Sequence, residues 1–388
     1  MKPESSSYRY LTQVCTRITD GTHQTPSYQD QGVIFISAKN IKDGQLDFAE
    51  RKYITREEHE FLTKSTKPSP GDLLLTKSGS LGDVAVVPEL DFEFSIFESL
   101  ALLRPRRDLV DSNYLYQYIR SPDAARHFHG ITTGLAVKHL HLGDLRKLKV
   151  FLPPLDHQRE IADQLSTWDT GIKKTEQLIA VKERHYSHEL SRLISGAQNP
   201  HGHIGTFAAE VSTRNRSGNE ARVLSVTNSR GFVLPEDQFE RRVASADLSN
   251  YKVVHRGQYA YNPSRINVGS IARLDGWDDG VLSPMYIVFR LDETKIQSDY
   301  FLHWLNSHEA RQRIKKSTQG SVRETVSFPE LAALTIPVPK IDRQISIAYH
   351  LNTLRENIDL LKQFVAALKT QKRGLMQKLL TGQWRLPV

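Results

Sequence analysis

LPPLDHQREIA, at residues 152–162, opens a run of about 40 residues that the chain later repeats. Working back from it, Ser112 aligns with Ser298, Tyr114 with Tyr300, Ala124 with Ala310 and Gly134 with Gly320, always 186 positions apart and without a gap. Working forward, Pro153 falls on Pro339, Asp156 on Asp342, Gln158 on Gln344 and Thr167 on Thr353, and the register ends at Gly196 and Gly382. A chain made of two copies of one unit presents two similar surfaces, related by an internal pseudo-twofold repeat.

Each copy closes with a heptad pattern. Ile161, Leu165, Trp168, Ile172, Thr175, Ile179, Lys182, Tyr186, Glu189 and Leu193 follow at alternating steps of four and three. The second copy reads Ile347, Leu351, Leu354, Ile358, Leu361, Val365, Leu368, Lys372, Leu375 and Leu379. Such spacing draws one narrow apolar seam along a helix, and a seam of that width is buried against another helix. The two seams are natural partners for each other. Asp156 and Asp342, each after a proline-rich stretch, are expected N-caps. Gly196 and Gly382 are expected C-caps. The roughly 40 residues between them would span ~60 Å of helix, a length comparable with ~17 base pairs of duplex.

Composition is 39% hydrophobic and 25% charged, with no apolar run long enough to span a membrane. Residues 1–10 are polar and lack a signal-peptide core, and the lone Cys15 forms no internal disulfide, so a cytoplasmic location is expected. Of the net charge of +8, most lies in residues 340–388, which carry nine basic and three acidic groups. A solvated helix face and a contact with phosphate or a partner are both compatible with that excess.

The segments ahead of the helices, residues 1–154 and 201–339, read as mixed α and β. Strand-like runs occur at 33–37, 72–76, 84–87 and 100–103, and again at 223–226, 259–262 and 285–290. Short helices are expected at 113–120 and 124–128, with counterparts at 299–306 and 309–316. Residues 155–200 and 340–388 are the helical segments. The glycine-containing loops between the elements are the natural carriers of function.

Three other motifs point less clearly. Tyr261-Asn-Pro-Ser is similar to the Asn-Pro-Pro-aromatic motif of amino-methyltransferases, but Ser264 and Arg265 replace the second proline and the aromatic. The pairs His127/His129, His139/His141 and His201/His203 lack a Cys, Asp or Glu cluster to complete a metal site. Gly79, Gly82 and Gly269 stand in loops without a P-loop Lys-Ser pair and read as turns.

The passage at 152–162, the helix after it, and the closing LMQKLLTGQWR at 375–385 resemble the repeated conserved regions of the DNA specificity subunits of type I restriction-modification systems. The layout is similar too, over essentially the whole chain. The resemblance implies an α+β fold with two target recognition domains, at 1–154 and 201–339, separated by two long antiparallel helices, at 155–200 and 340–388, that form a coiled coil. It implies a non-catalytic subunit that reads a split double-stranded DNA sequence and recruits two modification subunits, with restriction subunits in the full complex. The chain itself would hold no cofactor or metal. S-adenosylmethionine is expected in the modification subunits, and ATP and Mg in the restriction subunits. Two rival readings stay open: a self-contained DNA methyltransferase, and a coiled-coil scaffold that binds no DNA.

Comparing the copies marks candidate DNA contacts. Thr132, Thr133, Lys138 and His139 fall opposite Thr318, Gln319, Ser321 and Arg323. Lys77, Ser78 and Ser80 fall near Asn262, Ser264, Arg265 and Asn267, and Lys39, Asn40 and Arg230 complete the set. Arg, Lys, Asn and Gln can read base edges, while Ser and Thr hold phosphate. The outward faces of the helices, with Lys173, Lys174, Glu183 and Arg184 on one and Lys362, Lys369 and Arg373 on the other, are expected to serve partners, and exposed partner faces also point to self-association of the isolated chain.

Overall fold

The computed structural model describes residues 7–64, 66–132, 139–194, 199–216, 218, 222–228, 230–237, 247–318 and 325–385. The chain forms two compact units, residues 1–176 with 363–388, and residues 177–362. These units cut across the four sequence segments, because each takes part of both long helices.

In the first unit the strands Cys15–Asp20, Leu100–Pro105, Leu73–Thr76 and Val84–Val86 form, in that order, an antiparallel sheet. The third strand is buried at every position, as its unbroken Leu-Leu-Leu-Thr run requires. Helices α1 (Ser112–Ile119) and α2 (Pro122–Thr132) follow. The Asp111 carboxylate caps α1 by accepting from the amides of Asn113 and Tyr114. Leu103, Tyr114, Leu115, Phe128 and Val150 belong to one core with Ile161 and Leu165 of the long helix α3 (Leu155–Ile194).

The second unit repeats this plan. The strands Ala208–Val211, Ile287–Leu291, Tyr259–Tyr261 and Ile271–Arg273 stand in the same order, again antiparallel. Helices α4 (Ser298–Asn306) and α5 (His308–Thr318) match α1 and α2. Tyr259, Phe289, Phe301 and Trp304 fill a core shared with Ile347 and Leu351 of the long helix α6 (Ile341–Leu379).

Within each unit a stretch of α3 packs antiparallel on a stretch of α6. In the first, Lys372 meets Asp169 at 2.6 Å and Lys369 meets Glu176 at 2.7 Å. In the second, Lys362 meets Glu183 at 2.7 Å and His350 meets Glu189 at 3.5 Å. Every seam position read from the heptads is buried or half-buried, including the polar Lys182, Tyr186, Glu189 and Lys372. Beyond the seam, Ala162 and Leu190 on α3, Ala348 and Met376 on α6, and Leu380 just after it are also buried, because there a helix is covered by its domain as well as by the other helix.

The expected caps need correction. The helices begin at Leu155 and Ile341, so Pro154 and Lys340 hold the N-cap positions, and their carbonyls accept from the amides of Gln158 and Gln344 at 3.0 and 3.1 Å. Asp156 and Asp342 sit inside the first turn, where their charge favours the helix dipole. Gly382 is left-handed at φ 73°, but three residues beyond the last of α6, and a Cβ there would lie 2.4 Å from Phe151 Cζ. Gly196 lies outside the described residues.

The glutamine of the repeated passage explains why that passage recurs. Gln158, 1% exposed, donates through Nε2 to the carbonyls of Leu109 (3.0 Å) and Pro153 (2.8 Å) and accepts from the Asp111 amide at 2.9 Å. Gln344, fully buried, donates to Lys295 (3.3 Å) and Pro339 (2.8 Å) and accepts from Gln297 at 2.8 Å. One buried neutral amide thus satisfies three backbone groups and ties the start of each long helix to the cap of a domain helix.

Candidate nucleic-acid interface

In both sheets the third and fourth strands are joined by a hairpin, and the loop after the domain's second helix returns beside it. The Leu140 amide donates to the Lys77 carbonyl at 2.8 Å, and at the equivalent place the Val326 amide donates to the Pro263 carbonyl at 3.1 Å. The two loop groups singled out in each copy are therefore neighbours in space. Their outer portions, including Thr133, Lys138, Gln319, Ser321 and Arg323, lie outside the described residues, as do the side chains of Thr132 and Thr318 at the ends of α2 and α5.

In the first unit, Thr76 Oγ1 organises the hairpin by donating to the Ser80 carbonyl and accepting from the Asp83 amide at 3.0 Å. Ser80 is exposed, and the half-buried Ser78 forms a bridge with His139. Lys77 is corrected as a base reader. It is 3% exposed and its ammonium is paired with Asp20, so its charge is spent inside the fold. Asp20 also meets His23 Nε2 at 3.3 Å, and His23 Nδ1 meets Glu98 at 2.8 Å. Burial, with Lys77 and His141 nearby, pushes the His139 imidazole below its ordinary value. Asn40 is corrected as well: its amide donates to the carbonyls of Asp47 (2.9 Å) and Glu50 (3.2 Å) and accepts from Ser37 N at 3.0 Å, holding a turn. Lys39 beside it is exposed.

The hairpin of the second unit presents more. Asn262 Oδ1 accepts from Ser264 N at 3.0 Å, and Arg265 caps a single 3-10 turn, Ile266–Val268, closed by Gly269 at φ 95°. Ile266 is anchored in the core, so the turn is fixed while Ser264, Arg265 and Asn267 are exposed. Among the described residues the Arg265 guanidinium has no ion-pair partner. Arg230, also exposed, stands on the turn Thr227–Gly231, and Asn228 of that turn approaches Gly269. A guanidinium and an amide on a fixed turn beside exposed hydroxyls are groups suited to base edges and phosphates.

The methyltransferase-like tetrapeptide is structural here: Tyr261 is fully buried, and the Asn262 side chain is engaged in its own turn. His127 and His203 bond the carbonyls of Asp144 (3.1 Å) and Ala333 (2.9 Å). Among the described residues no group of three or more His, Cys, Asp or Glu is arranged to hold a metal ion, and no helix is long and apolar enough to cross a membrane. The sequence reading missed Asp20 and Glu98, since only the sheet brings Asp20, 57 positions away, to Lys77.

Comparison with known proteins bears on this geometry. Residues 6–183 match the family model described as type I restriction modification DNA specificity domain. The chain is 22% identical, over 97% of its length and 88% of the other, to the type I restriction enzyme StySPI specificity subunit of Salmonella potsdam. It is 20% identical, over 91% of its length and 86% of the other, to the MjaVIII specificity subunit of Methanocaldococcus jannaschii. In fold it is similar to the crystallised type I restriction-modification S subunit from M. genitalium, with TM-score 0.60 at 14% identity, over 98% of this chain and 97% of that one.

Proposed function

We propose, from the match of residues 6–183 to the type I restriction modification DNA specificity domain and the similarity to specificity subunits along nearly the whole chain, that this is a type I restriction-modification specificity subunit, which reads a split DNA sequence with one recognition domain per half, acting in the cytoplasm as a non-catalytic subunit. The paired helices set the gap between the halves. Two modification subunits dock on the two similar surfaces and supply S-adenosylmethionine and the methyl transfer. Restriction subunits, with ATP and Mg, complete the assembly.

The observation that carries this reading is the repeated hairpin. The same sheet order and the same loop-to-hairpin hydrogen bond occur in both units, yet one hairpin carries Ser78 and Ser80 and the other Ser264, Arg265 and Asn267. A conserved frame with different side chains is what two different half-sites need.

The test is sequencing of N6-methyladenine in DNA from a methylation-free host that co-expresses this chain with its modification subunit. A split motif with two defined halves and a fixed gap is expected. A stable complex that leaves the DNA unmethylated would overturn the reading in favour of a scaffold, and methylation by the purified chain alone would replace it with a self-contained methyltransferase.

A further inference from the structure

We infer that the outer face of α5 in the second unit grips the phosphate backbone of duplex DNA, and that the first unit has no equivalent grip. The inference rests on the DNA-reading function proposed above and adds an asymmetry between the two readers.

His308, Arg311, Gln312, Lys315 and Lys316 follow the i, i+3, i+4, i+7, i+8 pattern of one helix face, and all five are exposed. Ala310 and Ile314 on the opposite side are buried and hold the helix in the core. The only acid of α5, Glu309, is taken by Arg313 at 2.8 Å. Among the described residues neither Arg311 nor Lys316 has an ion-pair partner. Across the cleft that the face borders, Glu183 is taken by Lys362 at 2.7 Å, which leaves Asp359 against Arg311, Lys316 and Arg355.

The face is joined to the reading hairpin, because Ile314 and Ile266 belong to one core cluster and Ile266 sets the turn of Arg265 and Asn267. From His308 to Lys316 the face runs ~12 Å, or about three to four base-pair steps of a duplex. Cations at a helix C-terminus also favour its dipole, which accounts for Lys315 and Lys316 but not for Arg311 in the middle of the helix. Nor does it account for the difference between copies. The equivalent positions of α2 are Pro122, Ala125, Arg126, His129 and Gly130, and Arg126 is already paired with Asp123.

The test uses the full chain assembled with its modification subunits, bound to a duplex carrying the methylated motif and to a scrambled duplex over a range of salt. Arg311→Glu with Lys316→Glu is expected to weaken both duplexes by a similar factor, about 10-fold or more, and to flatten the salt slope by ~1.8, about 0.9 per phosphate contact. Arg126→Glu is expected to leave the slope in place. The Arg311→Gln/Lys316→Gln pair, with an unchanged melting curve, guards against misfolding and is expected to show the same direction of change. An unchanged slope, a loss confined to the cognate duplex, or a loss of subunit assembly with DNA binding intact would each overturn the inference. A wild-type assembly that shows no salt-dependent binding would overturn the function on which it rests.

Discussion

The Lys372 ammonium of α6 lies 2.6 Å from the Asp169 carboxylate of α3, and Gln117 of α1 reaches the same carboxylate at 2.9 Å. Lys372 is the one polar interruption of the α6 seam, and this contact gives it a purpose: it latches helix to helix and both to the domain. At the equivalent place in the second unit the latch is Tyr186, whose hydroxyl bonds His303 Nδ1 at 2.9 Å while His303 Nε2 meets Asn352 at 2.8 Å.

Because Lys372 is only 7% exposed, burial pulls its ammonium below the usual range, and Asp169 opposes that pull. Lys372→Met is expected to destabilise the first unit by about 2 kcal/mol, since Asp169 keeps Arg120 and Gln117 but loses its buried counter-charge. Adding Asp169→Leu is expected to recover most of that loss. A urea-denaturation double-mutant cycle measures the coupling.

Gln158→Leu and Gln344→Leu are expected to cost similar amounts, about 2 to 4 kcal/mol each, because each leaves the equivalent three backbone groups without their side-chain partner. Chemical denaturation of the two variants, compared side by side, checks both the size and the equality.

His303 sets a pH dependence. Burial holds its imidazole below the ordinary value, so the unfolded chain takes up the proton first. The stability it contributes is full above pH ~6.5 and is lost as the pH falls below that value toward the lowered folded pKa. Unfolding midpoints from pH 8 to 5 are expected to fall less steeply in His303→Gln than in the wild type.

Arg265→Ala and Lys77→Ala are expected to part company. The first removes an exposed guanidinium, leaves the melting temperature alone, and relaxes sequence preference at one position of one half-site by about 1 to 3 kcal/mol. The second removes the buried ammonium that pairs with the half-buried Asp20, leaving that carboxylate only His23 among the described residues, and lowers stability without changing which bases are preferred. Methylation motifs and thermal melts of the same two proteins separate the outcomes.

The sequence by itself determined the repeat, the two long helices and their seam, because a 186-residue offset and a three–four spacing are properties of order along the chain. It also located the short domain helices and seven of the strands to within a few residues, since burial on one face imposes a period. It could not tell a loop cation that faces solvent from one that is buried. Lys77 and Arg265 look alike in sequence, yet one meets Asp20 across a sheet and the other stands on a turn with no ion-pair partner among the described residues. Nor could it give reasons for Gln158, Gln344 and Lys372, each of which has partners 47 or more positions away. Those pairings were decided by tertiary structure alone, because a polar group's role depends on which distant backbone or charge the fold brings within about 3 Å of it.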